Sequence, residues 1–151
     1  RNNLGGLLST TVNIADLFLD NGIILYAIDG DGNRTDYSVE SDPQTDLPMV
    51  VLVNEFSASA SEVLSGALQD HGRAKIIGTN TFGKGSVNLP QKLKDGSALY
   101  YSIARWYSPN GNMIEGKGIT PDIWVEKNKS KTPEKDLQLA KALKTLRAAI
   151  N

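Results

Sequence analysis

The chain has 151 residues, 40% of them apolar and 22% charged, and carries a formal net charge of −1; that suffices for one domain with a hydrophobic core and not for two. The near-neutral balance offers no field to nucleic acid or an anionic membrane, and no apolar run is long enough to span a bilayer. The absence of Cys removes thiol nucleophiles, disulfides and thiolate metal sites, and the single His71 cannot build a multi-histidine zinc centre.

The opening Arg1-Asn2-Asn3-Leu4-Gly5-Gly6, without an initiator Met, has the character of the interior of a longer chain, so nothing follows about a targeting segment. Thr10 to Asp20 carries Val12, Ala15, Phe18 and Leu19 at helical spacing, with Ser9 as cap and Gly22 as stop. Ile23–Ile28 and Arg34–Val39 flank Asp29-Gly30-Asp31-Gly32, the pattern of a hairpin. The continuous apolar run Met49–Val53 predicts a strand covered on both faces. Ser59 to Asp70 predicts a helix through Val63, Leu64, Ala67 and Leu68, closed at His71-Gly72. Short strands follow at Lys75–Gly78, Val87–Leu93, Ala98–Tyr107 and Ile123–Val125, with a turn at Ser108-Pro109-Asn110-Gly111. Lys127–Lys131 is a polar linker. Thr132-Pro133 then opens a last helix that presents Leu139, Leu143, Leu146 and Ile150 on one face. This order of helices and strands is α/β with a mixed sheet.

The segment Asn54-Glu55-Phe56-Ser57-Ala58-Ser59-Ala60-Ser61-Glu62 joins a buried strand to a helix, where α/β folds present reactive groups. Backbone N–H groups at such a helix start favour developing negative charge. Ser59-x-x-Glu62 is equally a capping box, and a hydroxyl bonded to the helix backbone is not free to attack, so both readings stay open. In Phe82-Gly83-Lys84-Gly85-Ser86 a lysine between glycines either enters a cleft or sits in a solvated turn.

Three other motifs fail on particulars. Gly78-Thr79-Asn80-Thr81-Phe82-Gly83-Lys84 begins like a phosphate-binding loop, yet Gly85 stands where Ser or Thr must hold magnesium and no helix follows. Asp29, Asp31, Asn33 and Glu40 occupy calcium-loop positions, but Arg34 replaces the turn glycine and the flanks are strands. A Ser-His-Asp triad would need His71, about 18 Å from Ser59 along the same helix at ~1.5 Å per residue. A serine nucleophile here is left with Lys or a carboxylate as its base.

Several motifs in order resemble the carboxyl-terminal processing, or tail-specific, serine peptidases. They are Arg1-Asn2-Asn3-x-Gly5-Gly6, Ser57-Ala58-Ser59-Ala60-Ser61-Glu62, Gly78-Thr79 with Phe82-Gly83-Lys84-Gly85-Ser86-Val87, Tyr107-Ser108-Pro109-x-Gly111, and Gly116-Lys117-Gly118-Ile119-x-Pro121-Asp122. The resemblance implies a Clp-protease/crotonase-like α/β fold, a mixed sheet with flanking helices. Residues 1–127 would be the later part of a catalytic domain lacking its upstream strands and PDZ domain, and 128–151 a linker with an amphipathic helix. It implies Ser59 as nucleophile and Lys84, 25 residues on, as general base. A base has to be uncharged, so Lys84 is expected in a water-poor cleft. The backbone of Ala60 and that of Gly5 or Gly6 would hold the oxyanion, with Glu62 in a supporting role. Many members have Gln where Asn88 stands, orienting the lysine, and Pro where Leu4 stands. No metal or organic cofactor is implied. Substrates would be protein or peptide carboxyl-terminal tails, in the cell envelope, the periplasm or a secreted setting, with an oligomer left open. The other reading is a non-catalytic peptide-binding or scaffold piece of the same fold.

Overall fold

A computed structural model describes residues 1–127 and 136–150. In chain order the elements are α1 (Leu8–Asp16), β1 (Ile23–Asp29), β2 (Arg34–Ser38), β3 (Met49–Val53), α2 (Ala60–Asp70), β4 (Ala74–Gly78), β5 (Ser86–Lys92), β6 (Ala98–Tyr107), β7 (Ile123–Trp124) and α3 (Leu137–Ile150). The fold is α/β with flanking helices, and its strands of both senses are shared between two sheets. One is antiparallel in the order β2-β1-β6-β5; the other runs β3-β4-β7 and is parallel.

The hairpin forms because Asp29 serves its own turn. Its carboxylate accepts from the N–H groups of Asp31 at 2.9 Å and Asn33 at 2.8 Å, and Gly32 takes a positive φ of 87°. These bonds hold the Asp29 carboxyl below the usual carboxylate range, the Asn33 side chain contributing most. In the parallel sheet, β3 and β4 approach so closely that a Cβ on Gly78 would lie 1.9 Å from the Val53 carbonyl oxygen. Only glycine fits there, and its φ of 140° excludes other residues as well.

Helix α2 packs against α1, β1 and β4. Its apolar stripe, Val63, Ala67 and Leu68, meets Ile24, Leu25, Trp106, Ile114 and Ile119 in one core. Burying each large apolar side chain contributes about 1.5–3 kcal/mol, so this stripe ties the two sheets together.

Three expectations are corrected. Helix α1 begins at Leu8 and ends at Asp16, because Leu17 and Phe18 turn back to the carbonyls of Ile14 and Ala15 in a tighter last turn. Strand β3 is half-buried instead of covered on both faces, and among the described residues it is an edge strand whose partner is β4. In α3 the buried residues are Gln138 and Ala142, while Leu139, Leu143 and Ile150 are exposed. Small Ala142 permits close approach to β3 and β4, and Gln138 bridges the Val125 carbonyl at 2.8 Å and the Arg1 guanidinium at 2.9 Å. The linker after Lys127 and the Thr132-Pro133 helix opening lie outside the described residues.

Candidate active site

The loop between β3 and α2 is built around Asn54, which is buried. Its side-chain oxygen accepts from the Asn2 N–H at 2.9 Å, and its amide donates to the Asn2 side chain at 2.8 Å. Ser57 is also buried, with its hydroxyl accepting from the Asn54 N–H at 3.1 Å. Ser61 donates to the Asn3 carbonyl at 2.9 Å. Two of the three serines therefore serve the loop itself.

Ser59 differs. Its φ of 57° and ψ of −120° put it in a conformation that L residues adopt at a cost of about 1–3 kcal/mol. Such strain persists only where the surroundings over-determine it. Ser59 and Glu62 form the capping-box arrangement, but the Glu62 N–H bonds to the Ser59 backbone carbonyl at 2.8 Å. The Ser59 side chain faces that same N–H in the box, without a further cap hydrogen bond of its own. Both readings therefore use the Ser59 hydroxyl, but as an acceptor in the box it keeps its own O–H proton to give.

Glu62 is 0% exposed and is the knot of the site. One carboxylate oxygen accepts from the Ser59 N–H at 2.8 Å and the Lys84 N–H at 2.8 Å. The other accepts from the Gly83 N–H at 2.6 Å and the Thr81 hydroxyl at 2.5 Å. A buried carboxylate is costly unless fully bonded, and here four donors meet it. Its effect is to fasten the Ser59 loop to the Lys84 segment, 25 residues away in sequence.

The glycine turn lies against the same loop. A Cβ on Gly5 would come within 2.7 Å of the Ala58 carbonyl oxygen and 2.9 Å of the Ala60 nitrogen, and Gly5 has a φ of 101°. The Asn3 carbonyl accepts from the Ala58 N–H at 3.0 Å and fixes the approach. The Gly5 N–H is occupied by the Asn3 side chain at 3.0 Å. Among the described residues nothing accepts from the N–H groups of Gly6 and Ala60.

Ser59, Ala60, Gly6, Lys84 and Asn88 line one cleft of about 340 Å³, walled by Leu8, Val63, Val87, Tyr100 and Trp106. Lys84 is exposed within it, so the expected water-poor position is not met. The cleft is open, and burial of the backbone around Lys84 does not extend to its side chain. Asn88 turns to its neighbours on the sheet. Its oxygen accepts from the Ser102 hydroxyl at 2.6 Å and its amide donates to Ser86 at 3.4 Å.

Thr81 and Glu115 escaped the sequence reading. The Thr81 hydroxyl, besides donating to Glu62, accepts from the Ile119 N–H at 2.7 Å. Glu115 accepts from the Gly85 N–H at 2.7 Å, where a Cβ on Gly85 would lie 2.2 Å from the Glu115 nitrogen. Neither has a spacing signal, because both act on backbone groups brought near by folding. The rejected motifs stay rejected: β5 follows Lys84 in place of a helix, and Asp29 to Asn33 form a hairpin turn. His71 caps the far end of α2, 2.8 Å from the Ile23 carbonyl. No helix among the described residues is long and apolar enough to cross a membrane.

Comparison with known proteins gives the family. The family model described as Peptidase family S41 matches residues 1–125. A carboxyl-terminal-processing protease of Picosynechococcus sp. is 46% identical over 122 residues, covering 81% of this chain and 30% of that protein. A probable CtpA-like serine protease of Staphylococcus aureus is 42% identical over 129 residues, covering 83% of this chain and 26% of that protein. Among solved structures, the photosystem II D1 C-terminal processing protease superposes with a TM-score of 0.79 at 42% identity, over 83% of this chain and 33% of that one. The chain thus spans about a third or less of each of these three proteins.

Proposed function

Because this chain belongs to peptidase family S41, among whose members are carboxyl-terminal processing serine proteases, we propose that Ser59 and Lys84 form a catalytic dyad that cleaves polypeptides near their carboxyl termini. The Ser59 oxygen attacks the scissile carbonyl carbon while the Lys84 amine takes the hydroxyl proton. The N–H groups of Ala60 and Gly6 bond the resulting oxyanion, which supports Gly6 over Gly5, whose N–H is already engaged. Collapse breaks the C–N bond, and Lys84 returns its proton to the departing amine. Water then hydrolyses the acyl-serine by the same route.

The observation that carries this reading is the Glu62 carboxylate, which binds the backbone N–H groups of both proposed partners at 2.8 Å and so holds the Ser59 and Lys84 segments side by side. Glu62 is accordingly a positioning residue. The partners are polypeptide tails, and by the same resemblance the setting is the cell envelope, the periplasm or a secreted one.

A second reading, a peptide-binding piece without catalysis, is favoured by Asn88, whose amide serves Ser102 and Ser86 and not Lys84. Treatment with a serine-directed phosphonate separates the two. Mass spectrometry should find the adduct on Ser59; an unlabelled chain in a folded protein means binding only. Ser59→Ala should abolish peptide hydrolysis while Ser57→Ala and Ser61→Ala retain much of it. Comparable loss at Ser61 with survival at Ser59 would mean the wrong serine.

A further inference from the structure

The antiparallel sheet ends in an arm. β6 pairs with β5 from Ala98 to Arg105, but with β1 only from Ala104 to Tyr107. Residues Ala98 to Ile103 therefore run past the end of β1 with one edge unpaired among the described residues, about 20 Å of strand at ~3.4 Å per residue.

The two edges of this arm are composed differently. The outer edge, on β5, carries Pro90, Gln91 and Lys92, residues that discourage pairing with another chain. The edge on β6 reads Ala98-Leu99-Tyr100-Tyr101-Ser102-Ile103, with no charge and no proline. Leu99, Tyr100 and Tyr101 are 54%, 68% and 42% exposed.

Register identifies the free backbone groups. Pro90 lies opposite Tyr100 and has no N–H to give, and the Leu93 N–H donates to the Ser97 carbonyl at 2.8 Å. Alternation along an antiparallel pair then turns Leu99 and Tyr101 towards β5. It leaves the N–H and C=O groups of Ala98, Tyr100 and Ser102 facing the unpaired edge.

Hollows of about 250 and 550 Å³ flank this edge where it passes the Gly30 turn. The larger one shares Val87 and Trp106 as walls with the cleft of Ser59, and Tyr100 of the arm itself lines that cleft, so the edge lies beside it. We propose that the unpaired edge of β6 between Ala98 and Ile103 receives an extended segment of the polypeptide substrate as an added strand, some residues away from the bond held at Ser59. This rests on the peptidase reading above. It selects unfolded polypeptide, because a chain already paired in its own sheet has no free backbone groups to offer.

Amide hydrogen exchange in the Ser59→Ala protein, with a peptide of about ten alternating Val and Thr residues, long enough to cover the edge, tests the strand. The peptide should slow exchange at Tyr100 and Ser102 and leave the already bonded Leu99 and Tyr101 unchanged. Unaltered exchange at Tyr100 and Ser102, with or without binding elsewhere, overturns the proposal. So does slowing that grows with protein concentration when no peptide is present, which assigns the edge to a second copy. Ala98→Pro, which removes one edge-facing N–H, should lower kcat/KM several-fold on a long unfolded polypeptide and leave phosphonate labelling of Ser59 unchanged. An equal fall in both overturns it. Peptide bound at the edge of wild-type protein that resists the phosphonate would keep the strand site and sink the peptidase reading instead.

Discussion

Glu62 concentrates the site's energetics in one side chain. Replacing it by Gln keeps the volume but offers one acceptor oxygen and two donors to four groups that all donate. The Glu62→Gln protein should lose about 2–4 kcal/mol in denaturant melts, the cost of unsatisfied buried donors, and its kcat should fall with little change in KM. Gly5→Ala separates positioning from stability. The added carbon meets the Ala58 carbonyl oxygen at 2.7 Å, and the turn must move by a fraction of an ångström or more. Displacement of ~1 Å in a reacting group costs about 10²-fold, so kcat/KM should drop on that scale. The stability loss should be only about 1–2 kcal/mol, from the left-handed backbone. Lys84 is a contrasting case. A lysine buried for catalysis would be relieved by an apolar substitute, but this side chain is exposed. Lys84→Met should therefore abolish hydrolysis while shifting stability by no more than about 0.5 kcal/mol. A clear stabilisation in melts would show the amine buried after all.

Helix α3 is held by its first turn more than by its apolar stripe. Asp136 accepts from the Leu139 N–H at 3.0 Å as an N-cap, and its carboxylate takes a forked pair from Arg1 at 2.9 and 2.7 Å. The Arg1 bonds, with the Leu139 N–H second, hold its pKa down to about 2 from 3.8. A carboxyl depressed in the folded state contributes stability above its unfolded pKa and loses it as pH falls through the folded one. Amide protection of α3 should accordingly decline between pH 4 and about 2. The side chain is a quarter exposed and solvent screens the pair, so the contribution is about 1 kcal/mol. Asp136→Asn keeps a competent cap and removes the titration, so α3 protection should become flat over that range. A decline that persists in this variant would assign the acid sensitivity to another carboxylate.

At the scale of the molecule the site exists because two sheets meet over α2. The parallel sheet delivers Ser59 at the end of β3, the antiparallel sheet delivers Lys84 and Asn88 at the start of β5, and the glycine turn closes on both. Much of this was legible in the residues. The hairpin, α2 and the strands from β3 to β7 lie where periodicity and turn residues put them, because those signals are local: alternation, a 3.6-residue stripe, an Asp-Gly turn. The linear order of the Ser59 and Lys84 segments, with the glycine motif before them, pointed to the family, and family membership follows from the match over residues 1–125. What folding alone decided is non-local. Apolar spacing in α3 could not say that Ala142 and Gln138, and not the leucines, face the sheet, since an apolar stripe specifies a face without naming the wall it meets. The exposure of Lys84, the occupation of Asn88 by Ser102, and the unpaired edge of β6 depend on how far one strand outruns another. The convergence of four donors on Glu62 depends on Thr81, Gly83 and Lys84 arriving beside α2. A capping box is written in four consecutive residues; the carboxylate that joins it to a distant loop is written only in the packed chain.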